Sequence, residues 1–138
     1  MDQRIIYSTA DGVAVIIPAP DCGLTIEQIA AKDVPEGVAY EIVTTADLPS
    51  DRTFRGAWVK NGRAIEHDMV KAREIAHDKR RAARAAEFAP LDVEATIPAR
   101  AQQAEEARQV IRDKYAAIQT DIDAAADVAT LKAIVNTF

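Results

Sequence analysis

In "TFRGAWVKNGRAIEHDMVKAREIAHDKRR" (53 to 81), two histidines are each followed by an aspartate: His67-Asp68 and His77-Asp78. Imidazole and carboxylate ligate metals and move protons, so chemistry would be sought here first. Ligands on one helix face need a spacing of three or four, as in HExxH, whereas His67 and His77 are ten apart, about 80° off a common face. Only Glu74 with His77 or Asp78 has a suitable spacing, and such pairs arise on most charged helices. No GxSxG, P-loop, CxxC or Gly-rich dinucleotide pattern occurs, and the scattered carboxylates designate no acid-base pair. The expectation is a protein that is not an enzyme, with no metal and no cofactor.

The second chemical feature is a basic run. Residues 71 to 84 hold Lys71, Arg73, Lys79, Arg80, Arg81 and Arg84 against only Glu74 and Asp78. Such a face could contact phosphates. Against this, residues 101 to 123 hold Glu105, Glu106, Asp113, Asp121 and Asp123 with Arg108, Arg112 and Lys114. Two consecutive helices of opposite bias suit pairing with each other, in an antiparallel hairpin or an oligomeric bundle. Pairing is the preferred reading, because the basic stretch has no interleaved aromatics and no recognition motif, so nucleic acid is not the expected partner.

These residues need elements to position them. "RIIYST" (4 to 9), a turn at Asp11-Gly12 and "VAVIIPAP" (13 to 20) predict a hairpin rich in β-branched residues. Thr25, with Gln28 three residues on, has capping-box spacing for a short helix carrying Ile26, Ile29 and Ala30, stopped at Val34-Pro35. A strand over Val38 to Thr44 and a loop at "ADLPSDRT" follow. "AWVK" and "RAIE" flank Asn61-Gly62, which predicts a type I′ hairpin, with Trp58 anchoring it against the core. From Asp68, apolar spacings of three and four predict a helix to about Phe88, ended or kinked by Pro90. A second helix starts near Pro98 and carries Ala104, Ala107, Ile111, Tyr115, Ile118 and Ile122 as a heptad-like seam. Asp127 caps a short final helix bearing Leu131, Ile134 and Val135.

The fold class expected is α+β: a small N-terminal antiparallel sheet with one short helix (1–66), followed by a C-terminal helical hairpin (67–138). The chain of 138 residues is 49% hydrophobic but only 5% aromatic, which suits helices packed closely through alanine. Cys22 is alone and cannot form an internal disulfide, which fits a reducing cytoplasm. No stretch approaches the roughly 20 apolar residues of a membrane span, so a soluble protein with no membrane association is expected. A net charge of -5 argues against whole-chain attraction to nucleic acid or anionic lipid. Because the first long helix offers the seam mostly alanine methyls, part of that seam is expected to stay exposed and to be the protein-contact surface. Another copy of the chain or a different protein would then cover it.

From Asp51-Arg52-Thr53-Phe54-Arg55 through Trp58, Ile65, Asp68-Met69 and Lys71-Ala72-Arg73, the chain resembles a family of small proteins encoded among tail and tail-fibre genes of tailed bacteriophages and prophages. "RIIY" and "DGVAVIIPAP…LTIEQIAAKDVP" match the family's front end, so the likeness covers about residues 4 to 93. Relatives tend to carry a longer link after Leu91-Asp92-Val93 and a second helix rich in Lys and Gln; here the link is short. The family has no catalytic motif to transfer. The resemblance implies a structural component of the virion, made in the host bacterial cytoplasm. It would sit at the tail tip, baseplate or fibre attachment and act on other tail proteins by protein-protein contact. An assembly chaperone for tail fibres, absent from the mature particle, and a small nucleic-acid-binding regulator are the alternatives.

Overall fold

A computed structural model describes residues 2 to 138 and shows an α+β fold: an N-terminal antiparallel sheet followed by a helical region. The chain forms two compact units, divided after Asp68.

In the first unit, strands β1 (Gln3–Thr9), β2 (Gly12–Ile16) and β3 (Tyr40–Thr44) form an antiparallel sheet in the order β2-β1-β3. Helix α1 (Ile26–Asp33) lies between β2 and β3 in sequence, and strands β4 (Trp58–Asn61) and β5 (Ala64–His67) form a separate hairpin. The consecutive isoleucines of β1 point to opposite faces, and both are fully buried. Ile5 packs with Ile26, Ile29, Ala30 and Val34 of α1 and the residue after it. Ile6 packs with Val13, Val43 and Trp58, so the second hairpin covers the other face. A central strand covered on both sides explains why Ile5 and Ile6 are consecutive apolar residues rather than one member of an alternating pattern.

Local signals behave as their chemistry requires. Gln28 N–H donates to Thr25 Oγ1 at 3.2 Å and Thr25 N–H donates to Gln28 Oε1 at 2.9 Å, which closes the capping box. Strand β2 stops at Ile16, short of the expected residue 20, because Pro18 has no N–H to give a ladder.

Both hairpin turns differ by one residue from expectation. Thr9 pairs with Gly12, so the first turn is Ala10-Asp11, and the positive φ (139°) falls on Gly12 just after it. In the second, Asn61 pairs with Ala64, so the turn is Gly62-Arg63. Gly62 has φ 61° and no other residue type adopts positive φ among the described residues, which makes this turn type II′ rather than I′. The expected register would have set Lys60 opposite Arg63. The observed one pairs Lys60 with Ile65 and lets Asn61 Nδ2 donate to Glu66 Oε1 at 3.0 Å.

The second unit contains α2 (Met69–Glu94), α3 (Ala101–Ala124) and α4 (Val128–Val135). Helix α2 continues past Phe88 through Pro90 to Glu94 rather than ending at Phe88, with the missing Pro90 N–H falling in the last two turns, where few further bonds follow it. Helix α3 begins three residues after Pro98, and Asp127 caps α4 by accepting from Thr130 N–H at 2.7 Å. All three helices pack on one another. The buried residues of α2 are Ala72 and Ala76, those of α3 are Ala104, Tyr115, Ile118 and Ile122, and α4 adds Leu131. No helix is long and apolar enough to cross a membrane.

Candidate functional site

The two histidines are used separately. His67 is in β5, opposite Trp58 in the ladder. His77, on α2, lies 2.8 Å from Asp123 Oδ1 through Nε2, and its Nδ1 accepts from Arg80 Nε at 3.3 Å. An accepting Nδ1 makes Nε2 the protonated nitrogen, the donor to Asp123. Asp78 takes Arg81 at 2.6 Å on the next turn. Among the described residues no three His, Cys, Asp or Glu side chains are grouped as a metal would need.

The expected charge pairing between α2 and α3 is largely reversed. The interhelical ion pairs made by carboxylates of α2 are Glu87 with Lys114 at 3.1 Å and Asp92 with Arg108 at 3.1 Å, acids of the basic helix meeting bases of the acidic one. The hydrogen bond from His77 to Asp123 is a contact that does run from the basic helix to an acid of α3. Helix α3 satisfies much of its own charge: Glu105 accepts from Arg108 at 3.2 Å and from Arg112 at 2.7 Å, and Gln109 donates to Asp113 at 2.9 Å. Those bonds hold the Glu105 carboxyl below its ordinary range, with the Arg112 hydrogen bond as the main cause, and raise Arg112 in return. Arg73 goes to the carbonyl of Ala125, at 2.9 Å from Nη2, where it satisfies a buried carbonyl at the C-terminal end of α3.

The arginines therefore remain together. Arg80, Arg81 and Arg84 of α2 line a cleft of about 350 Å³ with Arg112, Tyr115 and Gln119 of α3. A second hollow of about 340 Å³ shares Arg84, Ala85 and Arg112 with it and adds Phe88, Asp92 and Arg108. Together they form one groove along the two helices. On α2 the residues Ala72, Ala76, Arg80, Arg84, Phe88 and Asp92 recur every four positions, one packing ridge. Its first members, Ala72 and Ala76, are buried, and the next two, Arg80 and Arg84, carry guanidinium groups too large and too hydrated to bury, so the groove opens where the alanines end.

Arg84 stacks over Phe88 at 4.6 Å, and Arg108 and Arg112 approach the same ring at 6.0 and 5.9 Å. Among the described residues no carboxylate pairs with Arg80 or Arg84. The floor of the groove is Tyr115, 2% exposed, with Glu87 as its neighbouring carboxylate and with its ring meeting Phe138 edge-on at 6.2 Å. Burial first, then Glu87, push its phenol up to about 12.

The anticipated contact seam is mostly internal. Ala104, Tyr115, Ile118 and Ile122 are buried within the unit, so the exposed remainder is Ala107 and Ile111, both half-buried, beside the exposed Val110. The expectation underestimated coverage because it matched the seam against α2 alone, and α4 also packs on α2 and α3. The groove itself escaped sequence reading, although the local pairing of Glu105 with Arg108 and Arg112 at helical spacing is the signal that α3 would not neutralise α2.

In the first unit, the block that carries the phage-tail resemblance forms a knot. Asp51 Oδ1 accepts from Thr53 N–H at 2.9 Å and from its hydroxyl at 2.6 Å. Arg55 lies over the fully buried Trp58 ring at 4.3 Å and donates from Nη2 to the Val13 carbonyl at 2.6 Å; Arg52 is 5.9 Å from the same ring. No family model matches the chain, and no curated protein or solved structure is significantly similar to it.

Proposed function

We propose that this protein is a non-enzymatic structural component of a tailed-bacteriophage virion, at the tail tip, baseplate or fibre attachment, acting by contact with other tail proteins or further copies of itself. The observation that carries this reading is the use made of the resemblance block: Asp51, Thr53, Arg55 and Trp58 are spent on turn, stack and core within the first unit. Side chains consumed by folding leave surfaces, rather than a reactive centre, as what the protein offers. Two such surfaces are open, the arginine groove and the apolar remainder at Ala107, Val110 and Ile111.

Mass spectrometry of purified particles from the encoding phage or induced prophage tests the proposal. The chain should be present at a fixed copy number per particle. Its absence from particles that assemble only when it is expressed would replace the structural role with that of an assembly chaperone.

A further inference from the structure

We propose that the groove between α2 and α3 is a docking site for an acidic peptide segment of a partner protein, whose carboxylates pair with Arg80 and Arg84. The proposal rests on the reading that the protein works by protein-protein contact, and it names the chemistry of one partner.

Three observations carry it. The first is the distribution of charge. The helical unit as a whole is balanced, with eleven Lys and Arg against eleven Asp and Glu, yet five arginines line this one groove with Asp92 as its only carboxylate. Arg81, Arg108 and Arg112 already have carboxylate partners at 2.6 to 3.2 Å. Arg80 gives only Nε to His77, and Arg84 only its face to Phe88, so their remaining N–H groups are available in a fork that fits a carboxylate.

The second observation is that these guanidinium groups are pre-positioned. Arg80 is held through the His77–Asp123 chain, and Arg84 by its ring stack at 4.6 Å, so less rotamer freedom is lost on binding than for free side chains.

The third is shape. From Arg80 to Asp92 the α2 wall runs about 18 Å, room for roughly six residues of extended chain. A nucleic-acid strand fits less well. The aromatic ring in the groove, Phe88, is crowded by three arginines and presents no free platform for a base. A peptide needs no such platform and can place two carboxylates opposite Arg80 and Arg84.

The test is fluorescence anisotropy with labelled hexaglutamate, a labelled single-stranded oligonucleotide of equal charge, and inorganic phosphate as competitor, using the whole chain. Hexaglutamate should bind, more weakly as salt rises. Arg80→Gln and Arg84→Gln should each weaken it by roughly three- to tenfold. Lys79→Gln, an identical charge change on the same helix outside the groove lining, should have a smaller effect. Circular dichroism should show all three variants folded. The proposal is overturned if hexaglutamate does not bind, if the oligonucleotide binds more tightly, if phosphate alone displaces the peptide at equal concentration, or if Lys79→Gln weakens binding as much as the groove variants. Virions that contain a chain unable to bind hexaglutamate would leave the structural role standing and remove only this site.

Discussion

Two glycines adopt positive φ in the hairpins for different reasons, and the difference is measurable. Gly62, at φ 61°, has open space where a Cβ would go, so Gly62→Ala should cost about 1 kcal/mol of left-handed strain and little else. Gly12, at φ 139°, lies in a region reserved to glycine, and a Cβ there would sit 3.2 Å from the Trp58 carbonyl oxygen. Gly12→Ala should therefore cost about 2–3 kcal/mol, visible as the larger fall in thermal midpoint; equal falls would refute the close approach. Arg55 is a parallel case. Partial burial lowers its affinity for a proton, with Arg52 adding to the effect, and it is kept by the Val13 carbonyl and the Trp58 face. Arg55→Met retains much of the stem but loses the bond, and chemical denaturation should show a loss of about 1–2 kcal/mol.

Elements were legible where their causes are local. Thr25 with Gln28 and Asp127 with Thr130 bring their own hydrogen-bond partners within three residues, so those helix starts could be read directly. Turn register was not, since Asn61-Gly62-Arg63 serves a type I′ or a type II′ turn, and cross-strand pairing of Lys60 decides between them. The facing of α2 and α3 depends on rotation about two helix axes, which no local pattern records, and the ion pairs came out reversed. Two groups brought together by that facing, Glu87 and the buried Tyr115, give a two-sided pH dependence. Glu87 is held below the ordinary carboxylate range by the Tyr115 hydroxyl first and by Lys114 second, so its stabilisation is complete above that range and is lost as pH falls through the lowered value. Tyr115, raised to about 12, contributes fully below its ordinary value near 10 and loses that contribution as pH rises between the two, by about 2–3 kcal/mol. Thermal melts should be flat around neutrality and fall at both ends. Tyr115→Phe should remove most of the fall between pH 10 and 12, and a fall undiminished in that variant would show that another group titrates there.

For the molecule as a whole, the question is whether the seam of α3 folds the chain or joins it to something else. Ile118 is 8% exposed and Ile122 fully buried in the lone chain, whereas Ile111 keeps part of its side chain exposed. If the three helices close that seam by themselves, the two isoleucines that were equivalent by spacing must separate in behaviour. Ile118→Ser should lose about 2–5 kcal/mol or more, because it opens a cavity and puts a hydroxyl in an apolar core. The variant should melt early by circular dichroism with no partner present. Ile111→Ser should fold and lose clearly less stability than Ile118→Ser, since part of its side chain is already in water. That variant, together with Val110→Ser at a position 67% exposed, is then the clean probe of contact. On the proposed virion role, association with tail proteins in sedimentation, and incorporation into particles, should be impaired by Ile111→Ser and Val110→Ser although both are folded. A normal melt for Ile118→Ser would mean that the seam is not closed within the chain and must be completed by another copy. Normal incorporation of the two folded variants would shift the contact to the arginine groove, where the charge on Arg80 and Arg84 can be removed without touching the core.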